Sequence, residues 1–441
     1  MRRMKKTVLT VLLLTASLTL GACKASGSGD GGQAGGAAQT KDEAKTEAAQ
    51  TEKAKDGEPI TINYYGRPDD NGVETAIVAA FEEAHPHIKV NYVELPDSSN
   101  DRLKTINTVL QAGDSSIDVF AGDVVWPPIF SSAGWVIALD DYLEEGEMDA
   151  YLPGPLSAFQ LNGKTWGLPF MADAGALYYR KDLLEKYNKP VPETWAELAA
   201  TGKEIAEAEG DMSGFVSYWM QNESLTSSML EFYWEKGGEV VDENGASVLD
   251  EAKLAETLAE MKAMIDDKTA AAGIETFNTA ASRAVVTAGG AVFTRDWLSG
   301  YGPFNAEDSA VAGNMEIAPL PSYGCLGGWG VMVSAFSKNQ AEAVEFAKFR
   351  ANYESQMIAC DLVDIKPTLK AAYEDEELLS KKPELPSYLP VLEASKPRPL
   401  SPYYAEISGV MQLEIHSVIT GLTTPEEGAA NIVQKVAQIL L

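Results

Sequence analysis

The residues of this 441-residue chain best suited to chemistry are aromatic rings and charged groups in short, loop-like settings. Trp297 follows Asp296 and Trp329 follows Gly328, outside the spacing of a helical core face, so each indole can offer a flat apolar surface with hydrogen-bonding groups beside it. Trp126 opens a helix after a short apolar run, and is balanced between that role and core packing; Trp166 and Trp195 read as core. Asp123 stands just past the run Asp118-Val119-Phe120-Ala121, and Asp173 just before an apolar, strand-like run. Arg398 lies between Pro397 and Pro399, where a stiff backbone can hold the guanidinium fork ready to donate to two acceptors. Gly328, in a glycine run lacking phosphate-loop spacing, lets backbone approach a ligand closely. Rings, carboxylates and a fork suit reversible capture of a ligand with apolar faces and a polar rim. Asp123 and Asp173 could instead be read as an acid and base pair. Against that, no Ser-His-Asp set can be assembled from 3 His, and 3 His with 3 Cys leave few donors for a metal site, so neither a metal nor another cofactor is expected.

With 35 Lys+Arg against 65 Asp+Glu the net charge is −30, which repels a polyanion and excludes nucleic acid as the expected partner. Hydrophobic residues make up 45% of the chain, enough for two domains of ordinary size. The amino terminus has a basic start (Arg2, Arg3, Lys5, Lys6) and an apolar stretch from about Val8 to Leu20, too short to span a bilayer. That stretch ends in Leu20-Gly21-Ala22-Cys23, which resembles the lipobox of bacterial lipoproteins. The resemblance implies a signal peptide over 1–22 and a lipid on Cys23; a plain secretory peptide is the alternative. Residues 23–57, with no aromatic residue and no aliphatic one larger than Ala, read as a flexible tether.

Beyond the tether the spacing predicts strand, helix, strand, helix, strand. Ile60 to Tyr65 and Ile88 to Val93 alternate, Val73 to Ala84 has a helical apolar face stopped by Pro86, and Leu103, Ile106, Val109 and Leu110 mark a second helix. This rhythm implies a parallel sheet covered by helices, with ligands beyond the carboxyl ends of its strands. A second series follows: a strand over 176–180, a helix from the capping-box sequence Thr194-Trp195-Ala196-Glu197 to Gly210, an amphipathic helix through 254–265, a strand over 290–294, and helices at 340–353 and 425–441. Cys325 and Cys360 are as consistent with a disulfide as with two buried thiols.

Several runs together resemble the family 1 extracellular solute-binding proteins, the sugar receptors of ABC importers, and among them the trehalose/maltose-binding type. They are 118–126, 169–184, Pro192-Glu193-Thr194-Trp195, Arg295-Asp296-Trp297, Gly327-Gly328-Trp329 and 398–404. The resemblance covers nearly all of 58–441. It implies an α/β fold of the two-lobed periplasmic-binding-protein type, with parallel-rich sheets, flanking helices and a hinge. One lobe would comprise 58–173 and about 308–365, the other about 176–305 and 367–441. It also implies a receptor rather than an enzyme, holding a di- or oligosaccharide at the extracytoplasmic face of the membrane and delivering it to permease subunits. A pyranose has two apolar faces and a rim of hydroxyls, which fits the residues above. The expected ligand set is Arg102, Asp123, Trp126, Asp173, Trp297, Gly328, Trp329, Arg398 and Tyr403, with Arg102 and Tyr403 entering by resemblance. A polyol phosphate or a peptide as ligand, and a glycosidase, are the alternatives.

Overall fold

The computed structural model describes residues 58–441 apart from 243 and 364, so the signal-peptide, Cys23 and tether readings lie outside the described residues. The first strands are β1 (Ile60–Gly66), β2 (Ile88–Glu94) and β3 (Val119–Asp123), with β1 parallel to both others. The intervening helices Val73–Ala84 and Ser99–Gln111 bury Ile77, Phe81, Ile106 and Leu110. Arg102 shares the inward face of the second of these helices, a cation where the pattern alone would place an apolar residue.

After a small hairpin, β4 (Gln160–Leu161) and β5 (Lys164–Thr165), the chain enters the thirteen-residue β6 (Leu168–Arg180). At roughly 3.3 Å per residue this strand is about 43 Å long and reaches from one lobe into the other. Its far half pairs antiparallel with β8 (Ala291–Trp297), which lies parallel to β7 (Ser213–Val216), and with β9 (Met315–Ala318). The return crossing is β10 (Gly324–Val333), antiparallel to both β6 and β3, with β11 (Ser395–Lys396) beside its first residues. The parallel pairs expected from the strand and helix rhythm are thus built within each lobe, and, the β4–β5 hairpin aside, the antiparallel strand pairs among the described residues all involve a crossing strand, β6 or β10.

One core gathers Tyr64, Phe81, Phe120, Phe159, Val331 and Phe346; another gathers Trp195, Phe215, Met229, Leu254, Ile415 and Ile432. A third, smaller group packs Ala174, Tyr178, Phe304 and Met315 against the helix Leu385–Glu393. The lobe boundary expected near 308 needs correction. β9 pairs with Leu177–Arg180, and Leu320 and Cys325 belong to the second core, so the chain returns to the first lobe within β10, at Leu326. The crossing strand also starts at Leu168 rather than 176, because Pro169, Asp173 and Gly175 interrupt an apolar run that is nonetheless buried along most of its length. Cys325 and Cys360 are separate buried thiols in different core groups.

Candidate functional site

The carboxyl ends of β1 and β3, the crossing strands, and the end of β8 enclose a cleft of about 490 Å³. Asp123 closes β3, buried, as expected of a ligand-facing residue in an open α/β sheet. Its Oδ1 accepts from the Val125 amide at 3.2 Å and from Arg398 Nη2 at 3.0 Å. Arg398 is 3% exposed, and its Nη1 donates to Glu223 Oε1 at 2.6 Å. Glu223 is the first residue of the helix Glu223–Glu235, capped by Asn222, whose Oδ1 takes the Ser224 amide. It is held from behind by the Tyr404 hydroxyl on Oε1 and the Ser408 hydroxyl on Oε2, each at 2.5 Å. One guanidinium thus ties a carboxylate from the first lobe to one from the second.

The two expected platforms differ. Trp297, at the end of β8 and opposite Gly175 of β6, is partly exposed to the cleft, with Arg295 Cζ 4.2 Å from its ring centroid. Arg295 is fixed by two bonds to buried Glu231, at 2.8 and 2.5 Å, and by one to Tyr218 Oη at 2.6 Å, so the indole rests on a rigid charged base. Trp329, opposite Asp123 in the β3–β10 pairing, is 8% exposed, with Arg102 Cζ at 4.4 Å and Arg67 Cζ at 5.3 Å over its ring. Arginines therefore cover part of the surface that the sequence reading left open for stacking. Burial, and next the Arg67 charge, push the Arg102 guanidinium down to about 10, still protonated at neutral pH.

Between the platforms, Gly328 has φ +124° and a Cβ there would lie 2.3 Å from the Met171 carbonyl oxygen, so only glycine fits. Of the nine expected ligand residues, the cleft brings together Arg102, Asp123, Asp173, Trp297, Gly328, Trp329 and Arg398. Trp126 and Tyr403 are corrections. Trp126 is 2% exposed, edge-on behind Trp329 at 5.4 Å between ring centroids, and outside the cleft lining. Tyr403 is the residue before the helix Tyr404–Ile419 and points to solvent, 50% exposed, while its neighbour Tyr404 turns inward. Glu223, Asn71, Thr279 and Ser299 also line the cleft and were not singled out from sequence. For Glu223 the local signal was the Asn222 cap, which announces a helix start but not a partner far along the chain.

A model of bacterial extracellular solute-binding proteins matches residues 66–357. The chain belongs to this family. A probable ABC transporter-binding protein of Deinococcus radiodurans is 30% identical over 366 residues, covering 79% of this chain and 86% of the relative. The maltose-bound MalE3 of T. maritima superposes with a TM-score of 0.79 at 32% identity, covering 87% of this chain and 100% of its own. An arabinooligosaccharide-binding protein of Bacillus subtilis is 28% identical over 295 residues, 60% of this chain and 66% of the relative. The protein is accordingly a two-lobed, extracytoplasmic solute-binding protein of an ABC transporter, a receptor and not an enzyme.

In this solute-binding protein the cleft carboxyl of Asp173 has its protonation displaced upward. Burial pushes it up to about 6, against the opposing pull of Lys366, the Ala174 and Leu298 amides and Arg283. Its Oδ1 accepts those amides at 2.9 and 2.8 Å. The folded carboxyl therefore holds its proton to a higher pH than the unfolded one, whose pKa is about 4. Stability falls as pH rises through that window, and the whole cost is present above about pH 6. An amide at 173 can still accept both backbone bonds. Asp173→Asn is expected to raise unliganded stability at pH 7 by roughly 1 to 3 kcal/mol, with the difference from wild type vanishing below about pH 4. Thermal melts across that range check this, and a variant less stable than wild type at pH 7 would contradict it.

Proposed function

We propose that the protein captures a carbohydrate, a di- or oligosaccharide, between its lobes and delivers it to the membrane permease of its importer. The observation that carries this reading is Trp297: a ring partly open to the cleft, braced from behind by Arg295 and close to carboxylates and arginine donors. A pyranose has the matching surface, an apolar C–H face for the ring and hydroxyls for the ionic groups. In this reading Trp297 stacks on one sugar and Trp329 touches it with what Arg67 and Arg102 leave open. Asp123 and Asp173 accept from hydroxyls, Arg102 and Arg398 donate, and Gly328 admits the ring close to the backbone. The maltose held by MalE3 and the arabinooligosaccharide of the Bacillus subtilis relative support the same ligand class. Closure about the crossing strands would bring the two sets of side chains onto the ligand.

A calorimetric and melting screen over mono-, di- and oligosaccharides tests the proposal. A ligand present at a hundred times its dissociation constant should stabilise the protein by about 2.7 kcal/mol. For the best binder, Trp297→Ala should weaken affinity by about tenfold to a hundredfold while leaving the unliganded melting temperature nearly unchanged. A variant that melts far below wild type and keeps its affinity would make Trp297 a core residue and remove the proposed site. We further propose that the receptor is anchored through lipid on Cys23, as the sequence Leu20-Gly21-Ala22-Cys23 supports. Mass spectrometry of the mature amino-terminal peptide should find acylated Cys23, and Cys23→Ser should release sugar-competent protein from the membrane. An unmodified amino terminus elsewhere would rule the anchor out.

A further inference from the structure

Four arginines line the cleft, and they divide by what neutralises them. Arg350 is held by Glu74, and Arg398 by Asp123 and Glu223, through ion pairs. Arg67 and Arg102 have no such pair among the described residues. Arg102 is 5% exposed; its Nη2 donates to the Asp97 carbonyl at 2.7 Å, while its Nε and Nη1 are buried without an acceptor. Arg67 reaches the Met171 sulfur through Nη1, at 3.4 Å, and its Nε is likewise buried and unmet. Both guanidinia lie over the ring of Trp329, so two like charges share one indole. A ring face attracts a cation but does not cancel its charge.

The neighbouring carboxylates are committed elsewhere. Asp123 lies opposite Trp329 in the β3–β10 pairing, but Arg398 already takes one of its oxygens. Asp69 gives its two oxygens to the amides of Glu74 and Thr75 and to the Thr75 hydroxyl, at a helix start. Burial, and next the Arg67 charge, lower the Arg102 pKa against the pull of Asp123 and Asp97, the response of a cation without a close counter-ion. Among the described residues that line the cleft, every buried side-chain polar atom without a partner is an arginine nitrogen. The surplus is therefore of charged donors, and leaving such donors buried and unmet is costly. Sugar hydroxyls both donate and accept, whereas a carboxylate or phosphate oxygen accepts only and brings the opposite charge.

We propose that the Trp329 end of the cleft takes an oxyanion substituent, a carboxylate or a phosphate, held between Arg67 and Arg102, and that the substrate class is an acidic saccharide. The proposal rests on the carbohydrate reading and adds a charge to it; Trp297 and Asp173 keep the neutral ring. The net charge of −30 opposes an anion at long range only. At physiological salt the screening length is about 8 Å, so contact with the two guanidinia decides affinity.

The test takes each neutral saccharide that binds in the sugar screen, with maltose, trehalose and cellobiose included. Each is compared by calorimetry with two derivatives, one oxidised to a carboxylate at a primary alcohol and one phosphorylated there. Wild type should bind an acidic derivative about tenfold to a hundredfold tighter than its neutral parent, and the derivative that gains more identifies the oxyanion. Binding of an acidic derivative whose neutral parent does not bind is the same result in stronger form. Arg67→Met and Arg102→Met keep the apolar stems and remove the charges. Each should lower the preference for the acidic form by about tenfold, with unliganded melts establishing that the variants fold. If neutral parents bind and neither derivative binds tighter, or if both variants keep the full preference, the oxyanion site is refuted while the carbohydrate reading stands. The first of these comparisons needs wild type alone. If neither neutral nor acidic saccharides bind, both readings fall.

Discussion

A buried guanidinium cannot be left uncompensated, and Arg398 is compensated from both halves of the molecule. Stripping water from such an ion costs several kcal/mol, and the cost is offset only where well-placed acceptors surround it. Asp123 supplies one acceptor from the end of β3 and Glu223 the other from the start of a helix in the second lobe. Tyr404 and Ser408 fix Glu223 in turn, so the site is referred to the helix Tyr404–Ile419 as well. In this structure one charge thus joins a strand end of the first lobe to a helix start of the second and fixes an oxygen of Asp123.

The same device recurs behind the aromatic surfaces. Arg295 is locked by Glu231 and Tyr218 under Trp297, and Arg350 is locked by Glu74 at 3.0 and 2.7 Å with its Cζ 3.6 Å from the Phe170 ring centroid. Arg283 grips Asp296, next to Trp297, through two bonds at 2.9 and 2.8 Å. Removing one partner of such a pair strands the other charge, which typically costs about 3 to 5 kcal/mol. Ring orientation at the cleft is therefore maintained by ionic contacts as well as by shape. A cleft assembled in this way is stiff within each lobe, which leaves motion to the segments between them.

Much of this was legible in the sequence, and the rest fails to be for identifiable reasons. Asp123 could be placed because strand ends in α/β sheets are where ligands gather; the loop-like settings read for Trp297, Gly328 and Trp329 are instead a strand end and the middle of the buried strand β10, where Trp329 also packs in the first core. Trp126 was misplaced because three residues past a strand end the chain has already turned, and its ring packs behind Trp329 instead of into the cleft. Tyr403 and Tyr404 are adjacent in a helix start, so only one can face inward, and nothing local chooses between them. Glu223 was illegible because its role is made by Arg398, 175 residues later. Helix boundaries carried more information: Thr194 caps the helix Trp195–Glu209 as its sequence indicates, although Glu197 turns back to the Glu193 amide rather than to that of Thr194.

Coupling of the lobes through Arg398 is tested most directly by solution scattering of unliganded wild type and Arg398→Met, a change that keeps length and apolar stem but removes the charge. Two carboxylates then share the bridge with no cation between them, and repulsion in a partly desolvated site favours separation. The radius of gyration of the variant should exceed that of wild type, and screening by added salt should narrow the gap. Identical radii at low and high salt, in a variant that is folded, would contradict the claim that this charge holds the lobes together.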